Sequence, residues 1–198
     1  MNFLAHLHLA EPTPLGLLGG LMGDFVKGPV AGRYPGALER ALIHHRNIDT
    51  FTDAHPVVRE SRNRVSPAHR RFAGVLTDMF FDHFLARHWR DYADEPLAAF
   101  SARVYRLLEE HRALLPDRLQ RIAPYMARGD WLGSYAEVDS IEHAIDRMGT
   151  RLRRGNLLAG GGAELRAQYV AFERDFRTFF PELVAFARGL QRPAPAAA

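Results

Sequence analysis

Apolar side chains recur at three- and four-residue intervals along almost all of the 198-residue chain, and no long stretch alternates apolar with polar. Such spacing gives each segment one apolar helical stripe and leaves no half-buried strand, so the fold class is all-α. A short helix is expected to begin near Asn2, and a second over residues 14–26, loosened by Gly16, Gly19, Gly20 and Gly23. Gly28, Pro29, Gly32 and Pro35 mark a loop. A third helix is predicted over 36–54, because Pro56 pushes the residue before it out of the helical region. Pro67 and Pro96 each open a helix, one reaching Trp89 and the other about Pro116, since proline is tolerated in a first turn. Two further helices lie between 116 and 154, interrupted at Gly129-Asp130, and a last one covers 163–190 with a bend at Pro181. Residues 1–190 read as one helical-bundle domain and the Pro/Ala-rich 191–198 as a disordered tail.

Composition removes several classes of function. With 47% hydrophobic and 25% charged residues the chain is globular, not disordered. Its 26 basic and 23 acidic side chains leave +3, too little for a general phosphate-binding surface, so no nucleic-acid partner is expected. Lys27 is the single lysine; every other basic residue is arginine, the better bidentate partner for carboxylate or phosphate. Cysteine is absent, which excludes disulfides, thiolate nucleophiles and cysteine zinc sites. The apolar start is too short to span a bilayer and lacks the basic flank of a signal peptide, so a cytoplasmic protein without a membrane partner is expected. The chain has no His-Glu-x-x-His, no P-loop and no Gly-x-Ser-x-Gly.

Histidines and aspartates are concentrated in a few places. In His44-His-Arg-Asn-Ile-Asp49 the four-residue spacing puts His45 and Asp49 on one helix face, with His44 about 100° away. An imidazole and a carboxylate so placed suit a divalent cation, or form a capping or ion pair beside Arg46. Asp78 and Asp82 also share a face, among Phe80, Phe81, Phe84 and Leu85 and with no arginine at i±4. Two carboxylates there repel and lose hydration, so they need a cation or a shared proton. His83 adds a second donor type beside Asp82. Asp24 follows a glycine-rich segment, and of His6 and His8 at most one can face any given site. Histidines and aspartates gathered from several helices suit metal-assisted phosphoester hydrolysis.

The segments Met1-Asn-Phe-Leu-Ala-His-Leu-His-Leu-Ala10, Gly23-Asp-Phe-Val-Lys-Gly28, His45-Arg-Asn-Ile-Asp49, Thr52-Asp53 and Asp78-x-x-x-Asp82-His-Phe-Leu-x-Arg-His-Trp89 together resemble the bacterial acyl carrier protein phosphodiesterase (acyl carrier protein hydrolase) family. Weaker matches at Gly129-Asp-Trp-Leu-Gly-Ser-Tyr135 and Phe179-Phe-Pro181 extend the resemblance over nearly the whole chain. It implies a fold related to the HD phosphohydrolases. It also implies removal of the 4′-phosphopantetheine arm from a serine of holo acyl carrier protein, with a divalent metal, typically Mn²⁺, with Mg²⁺, Co²⁺ or Fe²⁺ as alternatives. The positions carried over are Asp24, His45, Asp49, Asp78, Asp82 and His83, with His6 as a further candidate. The His-Asp dipeptide of HD enzymes is absent and Asp82-His83 has the reverse order, so ligand order does not transfer.

Under this reading an aspartate orients the attacking water, Arg46 helps neutralise the phosphoryl oxygens, and His83 or His45 protonates the leaving serine oxygen. An acidic carrier protein calls for a basic docking face. Arg59, Arg62, Arg64, Arg70 and Arg71 are the first candidates, and Arg151, Arg153 and Arg154 the second. The rivals are a related metal phosphohydrolase acting on a nucleotide or other small diester, and a non-catalytic helical binding module. Turnover of carrier protein against free nucleotides separates the first rival, and divalent metal binding the second.

Overall fold

The computed structural model describes residues 1–149 and 158–191. Among these residues there are eleven α-helices and no strand: α1 (Phe3–Leu9), α2 (Pro14–Met22), α3 (Gly36–Ala54), α4 (Pro56–Arg64), α5 (Ala73–Arg87), α6 (Leu97–Glu110), α7 (Asp117–Arg128), α8 (Trp131–Ser134), α9 (Val138–Gly149), α10 (Ala163–Ala167) and α11 (Tyr169–Gln191). None of them is long and apolar enough to cross a membrane. The all-α expectation is met, and α3 has the predicted limits. The tail expected to be disordered lies, from 192 on, outside the described residues, as do Arg151, Arg153 and Arg154.

Four local expectations need correction. Residues 56–64, read only as part of a basic stretch, form α4 with Pro56 in its first turn and Val58 and Ser61 turned inward. Pro67 opens no helix. Instead Ser66 and His69 both bond Glu164 of α10, and α5 starts only at Ala73 after a 3₁₀ turn. These tertiary contacts override the local preference for an early helix start. The helix predicted to run unbroken from 163 is interrupted at Gln168, and Pro181 lies within α11. α2 ends at Met22, short of the predicted 26, and its glycines let it press closely on its neighbours. A Cβ on Gly19 would stand 2.3 Å from that of Ala41, and α2 makes its most extensive contact with α3.

The core is densely aromatic. Phe80, Phe81 and Phe84 of α5 pack against Phe172, Phe176 and Phe179 of α11, with Phe180 stacked on Phe176, all fully buried. Burying a side chain of this size contributes about 1.5–3 kcal/mol, so this seam fixes α5 relative to the last helix. Along α3, Leu38, Leu42, His45, Ile48 and Thr52 form the buried stripe. Its apolar members face the core, and the same period brings His45 inward.

Candidate active site

Five side chains from four segments converge where α1, α3 and α5 meet: His6 of α1, Asp24 just after α2, His45 and Asp49 of α3, and Asp78 of α5. The seating of α1 depends on Asp82. Its Oδ2 accepts the Leu4 N–H at 2.7 Å and its Oδ1 the Ala5 N–H at 3.1 Å. Asp82 thereby satisfies first-turn amides that Asn2, whose side chain makes no cap, leaves open. The carboxyl is fully buried, which pushes it up to about 7 against the pull of the two amides. Asp82, carried over above as a site position, is thus spent on seating α1.

His45 is fixed on both sides. Its Nδ1 lies 2.8 Å from the Gly20 carbonyl, which can only accept, so Nδ1 carries the proton and Nε2 points at Asp49 Oδ2, 3.2 Å away. Behind the ring lies Gly23, where a Cβ would come within 2.2 Å of it. The His6 ring stacks on His45 with centroids 3.7 Å apart. His6 Nε2 is 3.0 Å from Asp49 Oδ1 but poorly aligned, and neither His6 nitrogen makes a hydrogen bond. Burial, and then His45 beside it, lower His6 to about 3, so its imidazole is neutral and this contact is no ion pair. Burial acts to raise Asp49, but its imidazole neighbours His45 and His6 and the Met1 amine outweigh it and hold the carboxyl well below the usual range. With its side chain 41% exposed, Asp49 is the member that opens to solvent.

The acidic side of the cluster has too few donors. Asp24 Oδ2 is buried without a partner, and burial pushes the carboxyl up to about 6 despite the pull of His45. Asp78 Oδ1 has no hydrogen bond; a cationic amine, that of Met1, lies 3.3 Å from it and 3.6 Å from Asp49 Oδ1. Arg62 of α4 reaches in as well, its Nη2 3.9 Å from Asp78 and 2.6 Å from Asp53 Oδ1, while its Nε is buried and unpartnered. Among the described residues, His6, His45 and Asp49 hold donor atoms within 4.8 Å of one another. Two imidazole nitrogens and hard carboxylate oxygens, several lacking partners within the chain, fit a divalent transition-metal ion.

The sequence-predicted residues divide accordingly. His6, Asp24, His45, Asp49 and Asp78 come together, and Asp82 supports them from beneath α1. His83 lies elsewhere, its Nδ1 2.8 Å from the Tyr135 carbonyl and its Nε2 2.9 Å from the Tyr169 hydroxyl. Adjacent residues on a helix diverge by about 100°, so α5 cannot aim both Asp82 and His83 at one centre. Arg46 is spent on the loop after α2, donating to the carbonyls of Val26 and Gly28. His44 faces the Leu9 carbonyl, as the helical register requires. Of the candidate docking arginines, Arg59, Arg70 and Arg71 are exposed, whereas Arg64 is paired with Asp175. Sequence reasoning missed Gly23, Arg62 as a site-facing cation, and Asp82 as a cap. The glycine had a signal, standing beside Asp24; the other two did not.

A large cavity is lined in part by chain neighbours of the cluster residues. It measures about 640 Å³ and lies between the start of α1, Phe25, Met79 and the α7–α9 wall.

The family model described as acyl carrier protein phosphodiesterase matches residues 1–183. Curated relatives named acyl carrier protein phosphodiesterase include one from Serratia proteamaculans (strain 568), 38% identical over 194 residues, covering 96% of this chain and all of that one. Another, from Pectobacterium atrosepticum, is 35% identical over 192 residues with the same coverage, and one from Salmonella dublin is 37% identical over 186 residues, covering 93% of this chain and 96% of its own. No solved structure matches. The chain belongs to the acyl carrier protein phosphodiesterase family.

Proposed function

From that membership we propose that the protein hydrolyses the phosphodiester between 4′-phosphopantetheine and a serine of holo acyl carrier protein. The observation that carries the reading to a site is the convergence of His6, His45 and Asp49, beside Asp24 and Asp78, with His6, Asp24 Oδ2 and Asp78 Oδ1 lacking hydrogen bonds. His6, His45 and Asp49 would hold a divalent ion, with Asp24 and Asp78 beside them; manganese is the ion we expect. Such an ion, when bound, neutralises phosphoryl charge and acidifies water. The pairing of imidazoles with carboxylates on converging helices is also the basis on which we propose kinship with HD phosphohydrolases.

The chain's own residues supply the rest. The Gly20 carbonyl sets the tautomer of His45, so that the Nε2 lone pair faces the site. Asp24, with one oxygen unpartnered, is placed to orient the attacking water and hold its proton. Arg62, with a free Nε–H beside Asp78, replaces Arg46 as the guanidinium that meets the non-bridging oxygens. Water adds to phosphorus and the bond from phosphorus to the serine oxygen breaks. That oxygen takes a proton, giving apo carrier protein and 4′-phosphopantetheine. His83, bonded at both nitrogens away from the cluster, is not the acid in this scheme. The acidic partner would dock on the exposed Arg59, Arg70 and Arg71, next to Arg62.

The test is the mass of holo acyl carrier protein before and after incubation with the protein and Mn²⁺. Loss of the arm, prevented by a chelator and restored by the ion, is the expected result. An unchanged mass with the ion bound would refute the reading.

A further inference from the structure

The cavity between the start of α1 and α7–α9 has no part in the chemistry just described, yet part of its wall is built from the cluster's own chain neighbours. Asn2 follows Met1, Phe25 follows Asp24 and Met79 follows Asp78, and all three line it. They are locked together, with Phe3 stacked on Phe25 at 5.9 Å and the Asn2 amide on Met79 Sδ at 2.8 Å. The outer wall comes from α7–α9, where Ile122, Trp131 and Ala144 present apolar surface, Ser134 and Ser140 hydroxyls, and Arg128, His143 and Arg147 basic groups. Arg118 stands at the Phe25 side with its guanidinium 5.6 Å from that ring's centre. A volume of about 640 Å³ is that of a small-molecule site and far exceeds what an ion or a phosphate fills.

We infer that this cavity binds the uncharged pantetheine portion of the arm, leaving its phosphate at the His/Asp cluster. The inference rests on the reading above and adds to it where the leaving group lies. Pantetheine is a slender chain of apolar methylenes and methyls interrupted by amides and a hydroxyl. The cavity offers matching chemistry: apolar walls, hydroxyls, and the basic side chains Arg128, His143 and Arg147 that can donate to amide carbonyls, with no carboxylate among the described lining residues. Ionised phosphate would be repelled by the uncompensated carboxylates unless the ion were present, whereas pantetheine carries no charge and needs none.

Two measurements test this independently. The chain has two tryptophans; Trp131 lines the cavity and Trp89 is buried against Phe100. Titration with phosphate-free pantetheine should change the Trp131 emission saturably in wild type, and Trp131→Phe should abolish the change. Filling the cavity by Ala144→Phe should raise KM for holo carrier protein about tenfold, with kcat changed much less. Ile122→Phe serves the same purpose from α7 should Ala144→Phe fold poorly. Pantetheine binding without arm release would sink the proposed reaction and keep this site. Arm release with no saturable pantetheine signal and an unchanged KM in a folded filled variant would overturn the site and keep the reaction.

Discussion

Asp49 and Asp175 both sit where helices distant in sequence meet, and their surroundings are opposite. Asp175 of α11 is buried and its bonds are complete: Ser61 Oγ donates at 2.8 Å and Arg64 Nε at 2.8 Å, with Arg174 nearby. The Asp49 cluster instead gathers carboxylates and imidazoles of which His6, Asp24 Oδ2 and Asp78 Oδ1 make no hydrogen bond. Leaving a buried polar atom unpaired costs about 1–3 kcal/mol, so a fold retains several only where something outside the chain completes them. The satisfied network is scaffold; the unsatisfied one is the site.

The sharpest way to break this contrast is His45→Ala. It should lower kcat/KM by at least about a hundredfold per folded molecule and lower Mn²⁺ affinity, with some loss of thermal stability because the Gly20 carbonyl loses its donor. His44→Ala, which removes only the contact to the Leu9 carbonyl, should leave turnover near wild type. Equal losses from the two would remove the cluster's special status.

Next in size, Asp82→Ala should destabilise the protein by about 2–4 kcal/mol in denaturant titrations, because two buried amides of α1 lose their acceptor. Activity would fall with it, since α1 carries His6. An unaltered denaturation midpoint would show that α1 is seated by its apolar side alone.

Asp175→Ala sharpens the other half of the comparison. It strands Ser61 and the partly exposed Arg64, so stability should drop by about 1–3 kcal/mol while kcat per folded molecule stays unchanged. A fall in kcat at matched folding would make that network part of the site after all.

The smallest effect concerns pH. Asp24 and Asp82, raised to about 6 and about 7 from 3.8, bind their protons more tightly folded than unfolded. Their stabilisation is complete below about pH 4 and is lost as pH rises through 6 and 7. Metal-free protein should therefore melt at lower temperature near pH 7.5 than near pH 5 on account of these groups, and Asp24→Asn should flatten part of the slope. Adding Mn²⁺ should offset it, because a cation favours the ionised form. A steeper slope in Asp24→Asn would contradict the burial of that carboxyl.

Much of this was written in the sequence. Apolar period made the fold helical and placed His45 and Asp49 on one face of α3, and Pro56 ended that helix where expected. Such information is local: it rests on spacing and on one residue's backbone limits. The sequence could not say which of Asp82 and His83 faces the cluster. Every residue from 79 to 86 of α5 is buried, so no polar stripe is left to orient the helix. Its rotation was decided by the aromatic seam with α11 and by the α1 amides that claim Asp82, contacts bridging scores of residues. The same holds for Arg62, which meets Asp78 only because α4, whose existence depends on where α3 stops, folds back across α5. The period of a chain fixes which residues share a face, and only packing fixes what that face meets.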